Sequence, residues 1–204
     1  MPQLIGLAGL AGVGKSTVAL HLVKRRGFER YRMAGPLKEM ARQLGLTHDQ
    51  IDGANKEEPI DWLDGVTPRH IMQTLGAEWG RNLIHRDMWI RIAERRVKGM
   101  MAGGDTGLFR GDNVVIDDIR FENEVEMVHR LGGKVYRIIG RPPSLFTVAQ
   151  HISEAQDFKV DGTIENNGSV EDLCRSVDHL LTPDRSEQAA TLGDRPLHAD
   201  EAAG

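Results

Sequence analysis

Gly9-Leu-Ala-Gly12-Val-Gly14-Lys15-Ser16 follows a short apolar run, Gln3 to Ala8, and opens a stretch with helical spacing, Ser16 to Arg26. The pattern G-x-x-x-x-G-K-[ST] between a strand and a helix constrains this chain more than any other feature. The glycines let the backbone turn with its N–H groups facing inward, a nest for anionic oxygens. The helix that follows presents its positive N-terminal end to the same anion. Lys15 adds a point charge for the β and γ phosphates of a nucleoside triphosphate, and Ser16 a hydroxyl suited to Mg²⁺. With 23 glycines and seven lysines, the pattern would arise by accident about 0.006 times in a chain of this composition.

The rest of the chain alternates strand and helix patterns. Phe28–Met33 reads as a weak strand, and Pro36 starts a helix that stops at Gly45. Residues 47–66 are polar and read as irregular. Thr67-Pro68 is an N-cap followed by proline at the first helical position, and the spacing predicts a helix from there to about Leu83. A second helix is predicted over Met88–Met101, then an exposed loop at 102–112. Val114–Ile116 is a buried strand, Glu122–Leu131 a helix ended by Gly132-Gly133, and Lys134–Ile139 another strand. Thr163–Glu165 is a short strand, Asn166-Asn167-Gly168 a turn, and Val170–Leu181 the last helix. Such alternation implies βαβ units: a three-layer α/β/α fold around a mostly parallel sheet.

Composition excludes several classes. Hydrophobic residues are 40% and charged residues 27%, an ordinary globular balance. The net charge of −4 disfavours stable nucleic-acid binding. No run approaches the ~20 apolar residues of a membrane span, and the glycine-broken N-terminus lacks the basic start of a signal peptide. One cysteine, Cys174, fits a reducing cytoplasm and reads as a buried small hydrophobe. The eight histidines show no zinc spacing. Residues 183–204 carry five acids against two arginines and read as a disordered tail.

Two further features carry chemistry. Asp117 and Asp118 end the strand at Val114–Ile116, where a phosphate-loop enzyme holds its Mg²⁺ shell. Either acid can serve, and Asp118 is also placed to cap the next helix. On the helix from Thr67, Arg69, Gln73, Gly76/Ala77 and Gly80 line one stripe, with Ile71, Met72, Leu75, Trp79 and Leu83 beside it. That stripe is either a ligand surface, polar at its head with small residues behind, or a solvated face with glycines for close helix packing. Arg137 and Arg141 flank residues 140–160, a segment positioned to close over a nucleotide and stabilise charge on a transferring phosphoryl group.

The stretches LIGLAGLAGVGKSTVA, AGPLKEMA, TPRHIMQTLGAEWGRNLIHRDMWI, VVIDDIRFENEVEMVHRLGGKVYRI, HISEA and IENNGSVEDL together resemble the deoxynucleoside monophosphate kinases of bacteriophages and related bacterial proteins. The resemblance spans about residues 4–181. It implies one phosphate-loop kinase domain over residues 1–182, with an acceptor-binding helical insertion at about 36–101 and a lid at about 140–160. It implies that ATP with Mg²⁺ gives its γ-phosphoryl group to a deoxynucleoside monophosphate. On the donor side it places Gly12, Gly14, Lys15, Ser16 and Thr17, with Arg137, Asn167 and Gly168 nearby; Ser16 and Asp118 hold the metal. Asp118, Arg120 and Arg141 join Lys15 in catalysis, and Lys38, Arg69, Gln73, Trp89 and Glu154 bind the acceptor. A homodimer is an expectation of the resemblance alone.

Two other readings compete. Dephospho-coenzyme A kinase shares the donor machinery, but its Asp-Ala-Asp run after the second strand is missing here. A nucleotide-binding module without transfer is the other; a GTPase version would need an Asn/Thr-Lys-x-Asp motif, which the chain lacks. Replacing Lys15 with Ala is expected to cut turnover by about tenfold or more, since it removes a charge aimed at the transferring phosphate. Steady-state turnover at saturating substrates checks this, and retained activity rejects the role.

Overall fold

The computed structural model describes residues 2–103, 113–140 and 158–181. Arg141, Glu154, most of the expected lid, most of the 102–112 loop and the 183–204 tail lie outside the described residues. Strand β1, Leu4–Ala8, is buried at every position, as a strand covered on both faces must be. It pairs in parallel with β3, Val114–Ile119, on one side and with β4, Lys134–Gly140, on the other. Short edge strands complete the sheet: β2, Glu29–Tyr31, beside β3, and β5, Gly162–Asn166, beside β4. The order is β2-β3-β1-β4-β5, and every pair is parallel.

Two apolar cores flank this sheet. On one face, Val18, Ala19 and Leu22 of α1, Lys15–Arg26, join Leu173 and Val177 of α7, Val170–Leu181. On the other, Ile90, Ala93 and Val97 of α5, Met88–Met101, join Val125, Met127 and Val128 of α6, Glu122–Arg130. Helix α5 belongs to the sheet's packing, although the expected insertion at 36–101 included it. Cys174, expected to be buried, is half-buried.

Helices α2, Gly35–Gln43, and α3, His48–Ile51, stand with α4, Pro68–Gln73, around a small core of their own: Ala41, Leu46, Ile51 and Ile60, backed by Leu63, Ile71 and Met72. Residues 47–66 are therefore more ordered than their polarity suggests. Thr47 and Gln50 form a reciprocal capping box that starts α3. Two single 3₁₀ turns and a bridge between Ile60 and Val66 follow.

The expected helix from Thr67 to Leu83 also differs. Thr67 accepts from the His70 N–H at 3.2 Å and starts α4, but from Thr74 to Ile84 the backbone is π-helical. The wider winding reassigns the small residues of the stripe. Gly80 is buried, and a Cβ there would lie 2.8 Å from the Trp89 ring. The Trp89 Nε1–H donates to the Gly76 carbonyl at 2.7 Å. Gly80 thus seats an indole, and only the earlier part of the stripe stays open to a ligand.

Asp161 ties the lead-in of β5 to β4. Its Oδ2 accepts from the Val135 N–H at 2.7 Å and lies 2.8 Å from His129 Nε2. Burial pushes this carboxyl up, but the Val135 and His129 bonds outweigh it and hold it below its ordinary value. A depressed carboxyl stabilises the fold above the unfolded-state value and loses that contribution as pH falls. Asp161→Asn is expected to flatten the loss of stability between about pH 5 and pH 3. Urea midpoints across that range check it; an unchanged slope removes Asp161 from acid unfolding.

Candidate active site

The phosphate loop leaves the C-terminal end of β1, where the sheet's chain order switches direction, the usual ligand crevice of an open parallel sheet. Gly12 and Gly14 take φ of 76° and 108°, which L side chains rarely adopt. A Cβ at Gly14 would also lie 2.8 Å from Asn166 Nδ2. That amide closes the loop from outside, donating to the Val13 carbonyl at 2.9 Å. Asn167, expected beside the donor, is exposed, and its Nδ2 donates to Glu165 at 3.3 Å. Gly168 follows it in the turn before α7, and the side chain that braces the loop is Asn166, a contact the sequence did not indicate.

Lys15 Nζ folds over the loop's own carbonyls, 2.6 Å from Gly9 O and 2.7 Å from Leu10 O. Ser16 is exposed and Thr17 half-buried in the first turn of α1. The Ser16 hydroxyl faces a carboxylate, but not the expected one. Ser16 Oγ lies 3.4 Å from Oδ2 of Asp117. Successive strand residues point to opposite sides, so Asp118 turns elsewhere: Oδ1 accepts the Met33 N–H at 2.8 Å and Oδ2 the Ala34 N–H at 3.3 Å, fixing the entry to α2. Nor does Asp118 cap α6; Phe121 holds the N-cap position. Burial, with a smaller push from Asp117, raises the Asp118 carboxyl against the pull of those two amides.

Arg137 also departs from expectation. It lies on β4, donates to the Phe158 carbonyl at 2.7 Å and stacks over the Phe158 ring at 5.0 Å. Phe158 belongs to the core under α5 and α6, across the sheet from α1. Among the described residues, Arg137 therefore braces the chain before β5.

The remaining expected residues converge. An open cleft of about 770 Å³ is bounded by Lys15 and Ser16 on one side and by Lys38, Arg69, Gln73, Gly76, Ala77 and Trp89 on the other, with Asp117, Asp118 and Arg120 between them. The Arg69 end of the stripe lines this cleft. Lys38 is held by Asp52 and Arg69 by Glu57. Eight lysines and arginines line the cleft against four acids, so a chain of net charge −4 concentrates positive potential here. A groove of about 690 Å³ between α5 and α6 is also charged, but its Glu94 already pairs with Lys98 and Arg130, and none of the expected residues lines it.

Among the charged residues of the cleft, sequence reasoning missed Arg30, Arg32, Asp52, Lys56, Arg81 and Glu124. Arg30 binds Asp117, Arg32 Nε lies 3.9 Å from the other Asp117 oxygen, and Arg81 stacks on Phe121 at 5.0 Å. Nothing in spacing marks these arginines among 19. Glu124 was legible in principle, as the glutamate three residues past a helix start. Its Oε2 accepts from the N–H groups of Arg120 at 2.7 Å and Phe121 at 3.2 Å, which fixes the turn that aims Arg120.

The sequence profile described as deoxynucleotide monophosphate kinase matches residues 45–177. A protein described by that name from Acanthamoeba polyphaga mimivirus is 31% identical over 187 residues, covering 85% of this chain and 93% of the viral one. This chain belongs to the deoxynucleotide monophosphate kinase family. It is accordingly an ATP-dependent phosphotransferase with nucleotide substrates. The deoxynucleoside-5′-monophosphate kinase of Escherichia phage T5 is 33% identical over 101 residues, half of this chain and 35% of the phage protein. Among solved structures, dephospho-CoA kinase from Campylobacter jejuni and shikimate kinase from Aquifex aeolicus each superpose at a TM-score of 0.47, with 14% and 16% identity. Both cover 94% of this chain and 100% of the other. Among the described residues no helix is long and apolar enough to cross a membrane.

Burial raises the Glu124 carboxyl from 4.5 to about 7, the two amide bonds only partly offsetting it. The folded state then binds more protons than the unfolded state between those values, and stability falls as pH rises through them. Glu124→Gln keeps a carbonyl acceptor and removes the buried charge. Its stability relative to wild type is expected to rise from about pH 5 to pH 8, read as the difference in urea midpoints; a constant difference overturns the assignment.

Proposed function

We propose that this cleft transfers the γ-phosphoryl group of ATP to the 5′-phosphate of a deoxynucleoside monophosphate, giving ADP and a deoxynucleoside diphosphate. The observation that carries this reading is the convergence of the phosphate loop and the Arg69–Gln73 wall on one cationic cleft. The donor's phosphates occupy the nest of the loop, with Lys15 leaving its own carbonyls for the β and γ oxygens. Asn166 keeps the loop shaped for that exchange, and the Asn167-Gly168 turn lies beside the donor's base.

The residues present fit Mg²⁺. Ser16 and Asp117 offer hard oxygens 3.4 Å apart, and Asp117 Oδ1 is buried without a hydrogen bond among the described residues. A cation that takes only one or two protein ligands plus phosphate and water suits so sparse a set, and no cluster of three or more metal-ligating side chains occurs among the described residues. Bound there with ATP, Mg²⁺ supplies charge neutralisation across the transferring phosphates. Asp117 replaces Asp118 in this role, and Asp118 becomes the residue that sets the position of α2.

On the acceptor side, Arg120 meets the 5′-phosphate. Lys38, Arg69, Gln73 and the Trp89 face surround the nucleoside. A monophosphate oxygen is already ionised near neutral pH, so the site supplies alignment and charge and requires no strong general base.

A coupled ADP-release assay with ATP and Mg²⁺, run over the four deoxynucleoside monophosphates, their ribo counterparts and dephospho-coenzyme A, tests the reading. Turnover of one or more deoxynucleotides is expected. Turnover of dephospho-coenzyme A alone, or none with ATP still bound, rejects it. In the same assay Asp117→Asn is expected to lower kcat about tenfold or more and raise the Mg²⁺ requirement. Asp118→Asn is expected to lower stability with the Mg²⁺ requirement unchanged; the reverse pattern returns the metal to Asp118.

A further inference from the structure

The niche between Ser16 and Asp117 already contains a positive charge. Arg30 comes off β2, and its Nη2 donates to Asp117 Oδ2. The same nitrogen lies 3.4 Å from Ser16 Oγ, itself 3.4 Å from that carboxylate oxygen. The guanidinium thus fills the gap between the two oxygens that suit Mg²⁺. Asp117 needs a counter-charge there: its side chain is 5% exposed, and a carboxylate that buried is costly to leave unpaired. Arg32 stands farther off, at 3.9 Å, and is exposed.

Yet the pairing leaves Arg30 incompletely served. Its Nε is buried with no hydrogen bond among the described residues. Its fork of N–H groups, which suits a phosphate with two or three oxygens in reach, meets one carboxylate oxygen and one hydroxyl. Its side chain retains 18% exposure and lines the cleft beside Lys15.

We infer that Arg30 is a movable counter-charge, pairing with Asp117 when Mg²⁺ is away and turning to the acceptor's 5′-phosphate when Mg²⁺ takes that place. Arg30 and Mg²⁺ compete for the same carboxylate oxygen, because two cations in one niche repel at short range. The displaced guanidinium stays in the cleft wall, where the acceptor's phosphate is the anion in reach. Arg30 therefore opposes metal–nucleotide binding and favours acceptor binding, two effects of opposite sign. A structural brace would favour both or neither. This inference rests on the kinase reading of the cleft.

Calorimetric titration separates these. Mn²⁺ with ADP is titrated into wild type, Arg30→Gln and Arg30→Lys without acceptor. Each deoxynucleoside monophosphate is then titrated into the same proteins, saturated with Mg²⁺ and a non-hydrolysable ATP analogue. Arg30→Gln is expected to bind Mn²⁺·ADP about threefold or more tighter and the preferred acceptor about tenfold or more weaker. Arg30→Lys keeps the charge and loses the fork. It is expected to bind Mn²⁺·ADP near the wild-type affinity and the acceptor more weakly, and it carries the test if Arg30→Gln does not fold. Weaker Mn²⁺·ADP binding in Arg30→Gln, or unchanged acceptor affinity in both variants, overturns the inference. Wild type that binds Mn²⁺·ADP but none of the four acceptors overturns the kinase reading, and the inference with it.

Discussion

The parallel pairing of β1 with both β3 and β4 brings three unconnected stretches of chain to one edge of the sheet. β1 delivers the phosphate loop there, β3 delivers Asp117 and Asp118, and β5, carried by β4, delivers Asn166. The loop takes its shape partly from this neighbourhood, since Asn166 holds the Val13 carbonyl across more than 150 residues of sequence. The apolar run at Leu4–Ala8 therefore does more than fill a core. Burial on both faces holds it at the centre of the sheet, with the glycine loop at the end that faces the acids.

Charge follows from the same arrangement. Three carboxylates, Asp117, Asp118 and Glu124, sit at the base of the cleft, each kept there by something particular: a guanidinium, the amides that open α2, and the amides before α6. Their buried oxygens fix backbone turns and side-chain directions, and the arginines above them leave the cavity with a surplus of positive charge. An anionic ligand thus meets a cleft whose backbone turns are already fixed, while Lys15 and Arg30 have to leave their present partners to reach it.

Much of this was legible in the sequence. The phosphate loop, the Arg69–Gln73 wall and the bounds of α5 follow from spacing, because periodicity and a fixed motif survive without tertiary context. The choice between Asp117 and Asp118 does not. It depends on which side of the sheet each faces, and a one-residue difference reverses the answer. Arg30 was hidden for another reason: β2 is three residues long, too short for alternation to show. Of the two readings open for Gly80, close packing holds, but its partner Trp89 follows from the π winding after Thr74, which no local signal marks. Asn166 and Asn167 are both turn formers by composition, so only packing against Gly14 tells them apart. Arg137 stood out by its place in the chain, and only the face of β4 shows its pairing with Phe158.

The α2–α4 region has its own apolar centre, distinct from the two that clasp the sheet. Stability in this protein is therefore not one quantity. Amides of α2 to α4 exchange with solvent at a free energy set by four small or medium side chains and their half-buried neighbours, while β1 and β3 report the whole domain. Core substitutions in one region are expected to combine nearly additively with those in the other, and contacting pairs within a region to couple. The wall that carries Arg69 and Gln73 can thus drift in sequence and rigidity without loosening the sheet that holds the phosphate loop.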